Sequence, residues 1–274
     1  MEKTKLFVIA LISMFSVMSA VKAQEEVSEE ILQEDIPAVE LQGESSVSAN
    51  LSIDFANAYI DYDGCVISDS FVVQPGLNLF INSESLPLPI EIEVWGNFAT
   101  DKFAEQTRNN AFTEITLSLG TTYEWEESGV SASLSINTTQ YPNMEGWGGE
   151  EFLAANIQKV FEGAFVTSLS LTGGAYAEFA LTGDCDNNFN LLPYLSAEYE
   201  FTEDLSATLS AQFHYLAEEG GDNGWGSFSI LPSVTYKNFS VFAQYFVQLE
   251  DDIYSDEDND AKDYVYGVGY SVEF

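Results

Sequence analysis

Leu205-Ser206-Ala207-Thr208-Leu209-Ser210-Ala211-Gln212-Phe213-His214-Tyr215 changes character at every step. Leu205, Ala207, Leu209, Ala211, Phe213 and Tyr215 form one apolar set, and Ser206, Thr208, Ser210, Gln212 and His214 form a polar one. Successive side chains of an extended strand point to opposite faces, so a period of two gives a ribbon with one oily and one wettable side. The same split separates Val130, Ala132, Leu134 and Ile136 from Ser131, Ser133, Ser135 and Asn137. It also separates Ile115, Leu117, Leu119 and Tyr123 from Glu114, Thr116, Ser118 and Thr122. The pattern begins near Ser45 and runs to the last residue.

Counting such runs predicts about twelve strands, near 47–62, 70–82, 88–99, 111–125, 129–140, 150–161, 165–182, 189–201, 205–216, 226–236, 239–249 and 263–274. An even number suits a closed single-chain barrel with both termini on one side. The connections alternate in length. Glu126–Ser128, Glu162–Ala164, Thr202–Asp204 and Lys237-Asn238 are tight, and Ser83–Pro87 is only somewhat longer. Between them fall Asp63–Asp69, Thr100–Asn110, Tyr141–Gly149, Gly183–Asn188, Ala217–Trp225 and Glu250–Lys262. A soluble β-sandwich also alternates apolar and polar residues, but it has no reason to sort its loops by parity. Short turns on one rim and long loops on the other are the periplasmic and extracellular ends of outer-membrane barrels. The expected fold is therefore all-β: a closed antiparallel transmembrane β-barrel in an up-and-down meander, over residues 45–274.

The two ends agree with export to a bacterial outer membrane. Residues 1–23 carry Lys3 and Lys5, an apolar run from Leu6 to Val17, and small residues ending at Ala23, which is the layout of a secretory signal peptide. Residues 24–44 form an acidic periplasmic leader, Glu25, Glu26, Glu29, Glu30, Glu34 and Asp35 around Ile31, Leu32 and Ile36, read as a short helical turn or as a tail without structure. At the other end Tyr264, Tyr266, Val268, Tyr270, Val272 and Phe274 occupy every second position. Tyr270, Val272 and Phe274 are the expected membrane-assembly signal, with the assembly machinery and the lipid bilayer as partners. Tyr59, Trp125, Phe201 and Tyr236, near other strand ends, are expected in interfacial aromatic girdles.

Charge bounds the function. The whole chain carries -37, and -39 once residues 1–23, with three Lys and one Glu, are removed. Such a field repels nucleic-acid phosphates and excludes that partner. If the apolar parity faces lipid, the opposite parity lines the lumen and presents Asp54, Glu91, Glu93, Glu114, Glu178, Glu198, Glu200 and His214. Ionised carboxylates without cationic partners cost several kcal/mol or more each when removed from water, so a hydrated lumen is expected. Such a wall concentrates cations and repels anions. Phe80, Trp95, Tyr176 and Tyr194 share the inward parity, where they narrow the lumen, stack on a ligand, or simply pack.

Several ordered landmarks give a resemblance. Asn57 to Phe80, with Tyr59, the Asp61–Gly64 bend and Gln74-Pro75, is followed by Trp95-Gly96, Glu114-Ile115, Tyr141-Pro142 and Glu151. In this order they resemble the TorF-like porin family over the first half of the barrel. Two positions depart from it: Asp63-Gly64 stands where the family has Arg-Gly, and Thr116 where it has Asp. The resemblance implies a pore-type barrel without naming a cargo.

Three further features complete the reading. Cys65 and Cys185 fall in long loops on opposite sides of the rim, either bridged across the mouth or left as two thiols. Asp256, Asp258 and Asp260 repeat the first positions of a calcium loop, but Ala261 and Gly267 stand where its Gly and Glu belong, which leaves loose Ca²⁺ or Mg²⁺ binding or a solvated acidic loop, and no other cofactor. The lone histidine lacks a serine elbow or zinc cluster, and Glu91/Glu93 and Glu198/Glu200 have the spacing of any acidic wall, so no enzyme is expected. Two functional classes follow: an outer-membrane porin-like channel passing small cationic or neutral solutes, or a non-conducting structural or adhesion barrel with acidic cation-binding loops.

Overall fold

The computed structural model describes residues 45–60, 66–68, 70–83, 86–99, 112–125, 128–142, 149–163, 166–182, 188–217, 223–249 and 264–274. The expected signal peptide, the leader, Cys65, Cys185, Asp256, Asp258 and Asp260 lie outside these residues. The strands are β1 (Ser45–Ala56), β2 (Tyr59–Ile60), β3 (Val66–Ser68), β4 (Val72–Ser83), β5 (Ile90–Ala99), β6 (Phe112–Trp125), β7 (Val130–Gln140), β8 (Gly149–Glu162), β9 (Leu169–Thr182), β10 (Phe189–Thr202), β11 (Leu205–Ala217), β12 (Asn223–Tyr236), β13 (Phe239–Gln248) and β14 (Tyr264–Glu273).

Twelve of them form a closed antiparallel barrel in which each strand pairs with its neighbour in sequence, except that the small β2–β3 pair is inserted between β1 and β4. β1 closes the ring against β14, from Asn50 opposite Glu273 to Ala56 opposite Gly267. The seam is extended by two backbone bonds between Ala49 and Phe274, 3.2 and 2.9 Å long. Closure leaves no unpaired sheet edge, as a spanning sheet requires.

The tight turns share one rim with both ends of the barrel. Lys237, with φ 53°, adopts the left-handed conformation that two-residue hairpins require. Its ammonium lies 3.7 Å from Asp204 of the neighbouring turn, both side chains being well exposed, so the pair adds little to stability.

The register puts the two parities in different solvents. Leu119 (56% exposed), Ile157 (56%) and Leu195 (58%) stand on the outside, as do Ile136, Leu209, Val241 and Val268. A sandwich would press these side chains against a second sheet; here they surround a ring and meet hydrocarbon. Aromatic pairs frame this surface: Tyr123–Trp125, Tyr199–Phe201 and Phe239–Tyr270 toward the short-turn rim, Phe213–Trp225 and Tyr264–Tyr266 toward the long-loop rim. Lys159, on the outer parity near a strand end, lays its ammonium 4.9 Å from the Phe161 ring centroid.

The first strand departs from expectation. It ends at Ala56 rather than at residue 62, because Asn57 caps the ladder: its N–H donates to the Tyr266 carbonyl (3.1 Å) and its side-chain oxygen accepts from the Tyr266 N–H (2.7 Å). Tyr59, expected in an outer girdle, instead turns into the barrel.

Candidate functional site

The barrel interior is the candidate site, and the register puts each residue expected to line the lumen on the inward parity. Asp54 stands between Gln74 and Gly269, Glu91 between Phe80 and Gly120, and Glu93 between Asn78 and Ser118. Glu114 faces Asn97, Glu178 lies between Ala154 and Asn190, and His214 is opposite Ser227. Glu198 stands between Ser170 and Thr208, and Glu200 is opposite Ser206.

These residues occupy two levels rather than one cluster. Glu91, Glu93, Glu198 and Glu200 lie in the short-turn half. Their strands, β5 and β10, are separated by four strands one way round the ring and six the other, so the two pairs face each other across the lumen. Glu124 opposite Ser131, Glu162 opposite Ser170 and Glu273 opposite Asn50 join them on the inward parity. The sequence reading did not assign those three, although continuing the alternation to the strand ends would have found them. Of the described residues, the cationic side chains are Lys159 on the outer parity and Lys237 in a turn; neither lines the interior.

Asp54, Glu114, Glu178 and His214 lie in the half next to the long loops, where the environment differs. There every wall strand contributes a buried residue: Ala56, Val72, Asn97, Thr113, Thr139, Ala154, Glu178, Leu192, His214, Ser227, Phe246 and Val265, from β1 and then β4 through β14 in turn. His214 retains 1% exposure and Val72 none. In the short-turn half the inward Ser46, Asn50, Asn78, Glu93, Glu198, Glu200 and Glu273 are exposed. The interior is thus wettable toward the tight turns and packed toward the loops.

Two carboxylates of the packed half, Glu114 and Glu178, accept hydrogen bonds from hydroxyl and amide groups. The Tyr59 hydroxyl donates to Glu114 Oε2 (3.0 Å) and the Thr116 hydroxyl lies 3.4 Å from Glu114 Oε1, with Thr116 in turn bonded to Thr139 at 3.0 Å. Tyr176 donates to Glu178 Oε1 at 2.9 Å, and the Asn137 amide reaches both groups, at 3.3 and 3.4 Å. Asn137 and Glu178 are on strands separated by β8, where their direct partners are Phe152 and Ala154 in turn, so the bond between them crosses that strand diagonally. His214 Nε2 pairs with Asn190 Oδ1 at 3.0 Å. Hydroxyl and amide donors satisfy the lone pairs of a buried carboxyl group.

A β-bulge sharpens one corner of this network. The pairing of β5 with β6 shifts between Asn97 and Phe98, leaving Thr113 as the extra residue beside Glu114. Asn97 then donates to the Thr113 hydroxyl and accepts from the Gln74 amide at 3.0 Å. Among the described residues, no three His, Cys, Asp or Glu side chains converge as metal ligands would.

The inward aromatics have distinct settings. Trp95 packs against Tyr59, with ring centroids 5.6 Å apart. Tyr194 lies over Gly174, and its hydroxyl is 2.8 Å from Gln158 Oε1 and 3.2 Å from Asn156 Oδ1. A Cβ at position 174 would stand 2.6 Å from the Tyr194 ring carbon Cζ and 2.7 Å from the Ile157 carbonyl oxygen. Gly174→Ala therefore expels Tyr194 into the lumen and destabilises the barrel by about 1–3 kcal/mol, the usual cost of overpacking. Urea titration of the protein refolded in lipid vesicles measures this, and an unchanged midpoint would contradict the contact.

No protein-family model matches the chain, and no curated protein matches it in sequence. Among solved structures it is similar to the COG4313 outer membrane channel from Pseudomonas putida F1, with a TM-score of 0.51 and 10% identity over 88% of this chain and 100% of that one. It also aligns with the NanC porin (TM-score 0.45, 9% identity, 80% of this chain and 97% of that one) and the KdgM porin (0.44, 9%, 83% and 99%). The first likeness is one of fold: the chain is a closed antiparallel β-barrel like that of an outer-membrane channel, and the bacterial outer membrane is where such a barrel resides.

Proposed function

We propose that this barrel is a porin-like channel of the TorF-like kind, passing small cationic or neutral solutes through a lumen whose carboxylates favour cations. The observation that carries the reading is the charge imbalance of the short-turn half. Glu91, Glu93, Glu124, Glu162, Glu198, Glu200 and Glu273 are on the inward parity, and neither described cation shares it. A ring of like charge around an aqueous opening raises the local concentration of counter-ions. The landmarks behind the family resemblance support the same reading, since Tyr59, Trp95 and Glu114 meet at one place inside the barrel, and Tyr141 donates to inward Glu150 at 2.8 Å.

A second reading, a non-conducting structural or adhesion barrel, is favoured by the packed level near the long loops. Planar-bilayer recording of the refolded protein separates the two. A channel produces discrete unit conductances whose reversal potential in a KCl gradient takes the sign of cation preference. Stable insertion without conductance supports the second reading.

A further inference from the structure

The segment that follows β1 crosses the interior instead of continuing the wall. After the Asn57 cap, Ala58 and Ile60 bury themselves against Ala56, Val72, Ala99, Phe246 and Val265, which come from five strands of the ring. Tyr59 reaches past β4 and β5 to the carboxyl of Glu114 on β6, at 3.0 Å, with its ring on Trp95. Ile60 and Tyr59 pair with Val66 and Ser68, so the segment is a hairpin, and Ser68 is buried with it.

Apolar burial of Ala58 and Ile60 is non-directional and would tolerate several placements of the hairpin. The hydrogen bond from Tyr59 is directional and lies at the far end of the contact, so it selects one. We propose that the β2–β3 hairpin is the constriction of the pore and that Tyr59, pinned to Glu114, is the positioning residue that sets its bore. This rests on the channel reading above. Tyr59 acts by holding the hairpin rather than by touching the solute.

Two readouts test the proposal, one of which does not depend on conduction. Ser68→Cys, in a background with Cys65→Ser and Cys185→Ser, reports hairpin position through its rate of reaction with a water-soluble maleimide in refolded vesicles. Tyr59→Phe removes one hydroxyl and keeps the ring, and loss of a hydrogen bond to a carboxylate shifts such an equilibrium about tenfold. The expected result is labelling about tenfold faster in Tyr59→Phe, together with a larger unit conductance. Glu114→Gln retains an acceptor oxygen and should label slowly, whereas Glu114→Ala should label fast. Labelling that ignores Tyr59→Phe overturns the pin. Faster labelling with unchanged unit conductance overturns the constriction and leaves the channel intact. Silence of every form in bilayers, with labelling still sensitive to Tyr59, overturns the channel reading and the constriction that depends on it.

Discussion

Replacing Glu91, Glu93, Glu198 and Glu200 together by Gln lowers the cation-to-anion permeability ratio by about three- to tenfold. A cation passing about 6 Å from a carboxylate in water is stabilised by roughly 0.7 kcal/mol, and an anion is opposed by the same amount. The two facing pairs act on the same ion, although screening over a Debye length of about 10 Å at 0.1 M salt reduces the sum to the order of 1 kcal/mol. Gln preserves side-chain size and hydrogen-bonding capacity, so the bore and unit conductance should change much less than selectivity does. The reversal potential in a KCl gradient measures the effect. It should shrink further as salt approaches 1 M, where the Debye length falls to about 3 Å. A quadruple variant with the reversal potential of the parent would show that these carboxylates do not determine which ions enter.

The second large effect tests the division of solvents on which the barrel depends. Leu119 and Ser118 are neighbours in the middle of β6. Leu119 lies on the outer parity, between Ile92 and Ile136, and Ser118 on the inner one, between Glu93 and Asn137. An Arg at the bilayer midplane of a barrel costs about 2–4 kcal/mol, so Leu119→Arg should lower the folding free energy in vesicles by that amount. Ser118→Arg enters an aqueous interior beside the Glu93 carboxylate, where an exposed ion pair returns about 0–1 kcal/mol, and its net effect should be small. Urea titration, followed by the mobility shift between folded and unfolded barrel on unheated gels, gives both values. Equal losses at the two positions would mean that the faces do not meet different solvents.

Much of this architecture was legible in the chain. The predicted run 205–216 is β11, Leu205–Ala217, and the predicted 129–140 is β7, Val130–Gln140. Such agreement arises because a bilayer imposes one rule on every strand, apolar out and polar in, and a period of two records it locally. The inward parity of Glu91, Glu93, Glu198 and Glu200 follows from the same alternation. Tyr59 shows where that reasoning stops. It continues the odd parity of Ile53 and Phe55, and so looked like a lipid-facing girdle residue at the end of a longer strand.

The amino-acid order by itself determined the alternating faces of the wall strands, the sorting of short and long connections, and which acidic residues fall on the inward parity. Each of these is set by adjacent residues and the solvent on either side of them. Tertiary structure alone decided that the interior is wettable at one end and packed at the other, and that the chain turns inward after Ala56. The partners responsible, Glu114 for Tyr59 and Tyr266 for Asn57, are 55 and 209 positions away. No local periodicity carries information about contacts of that range; they exist only once the ring has closed.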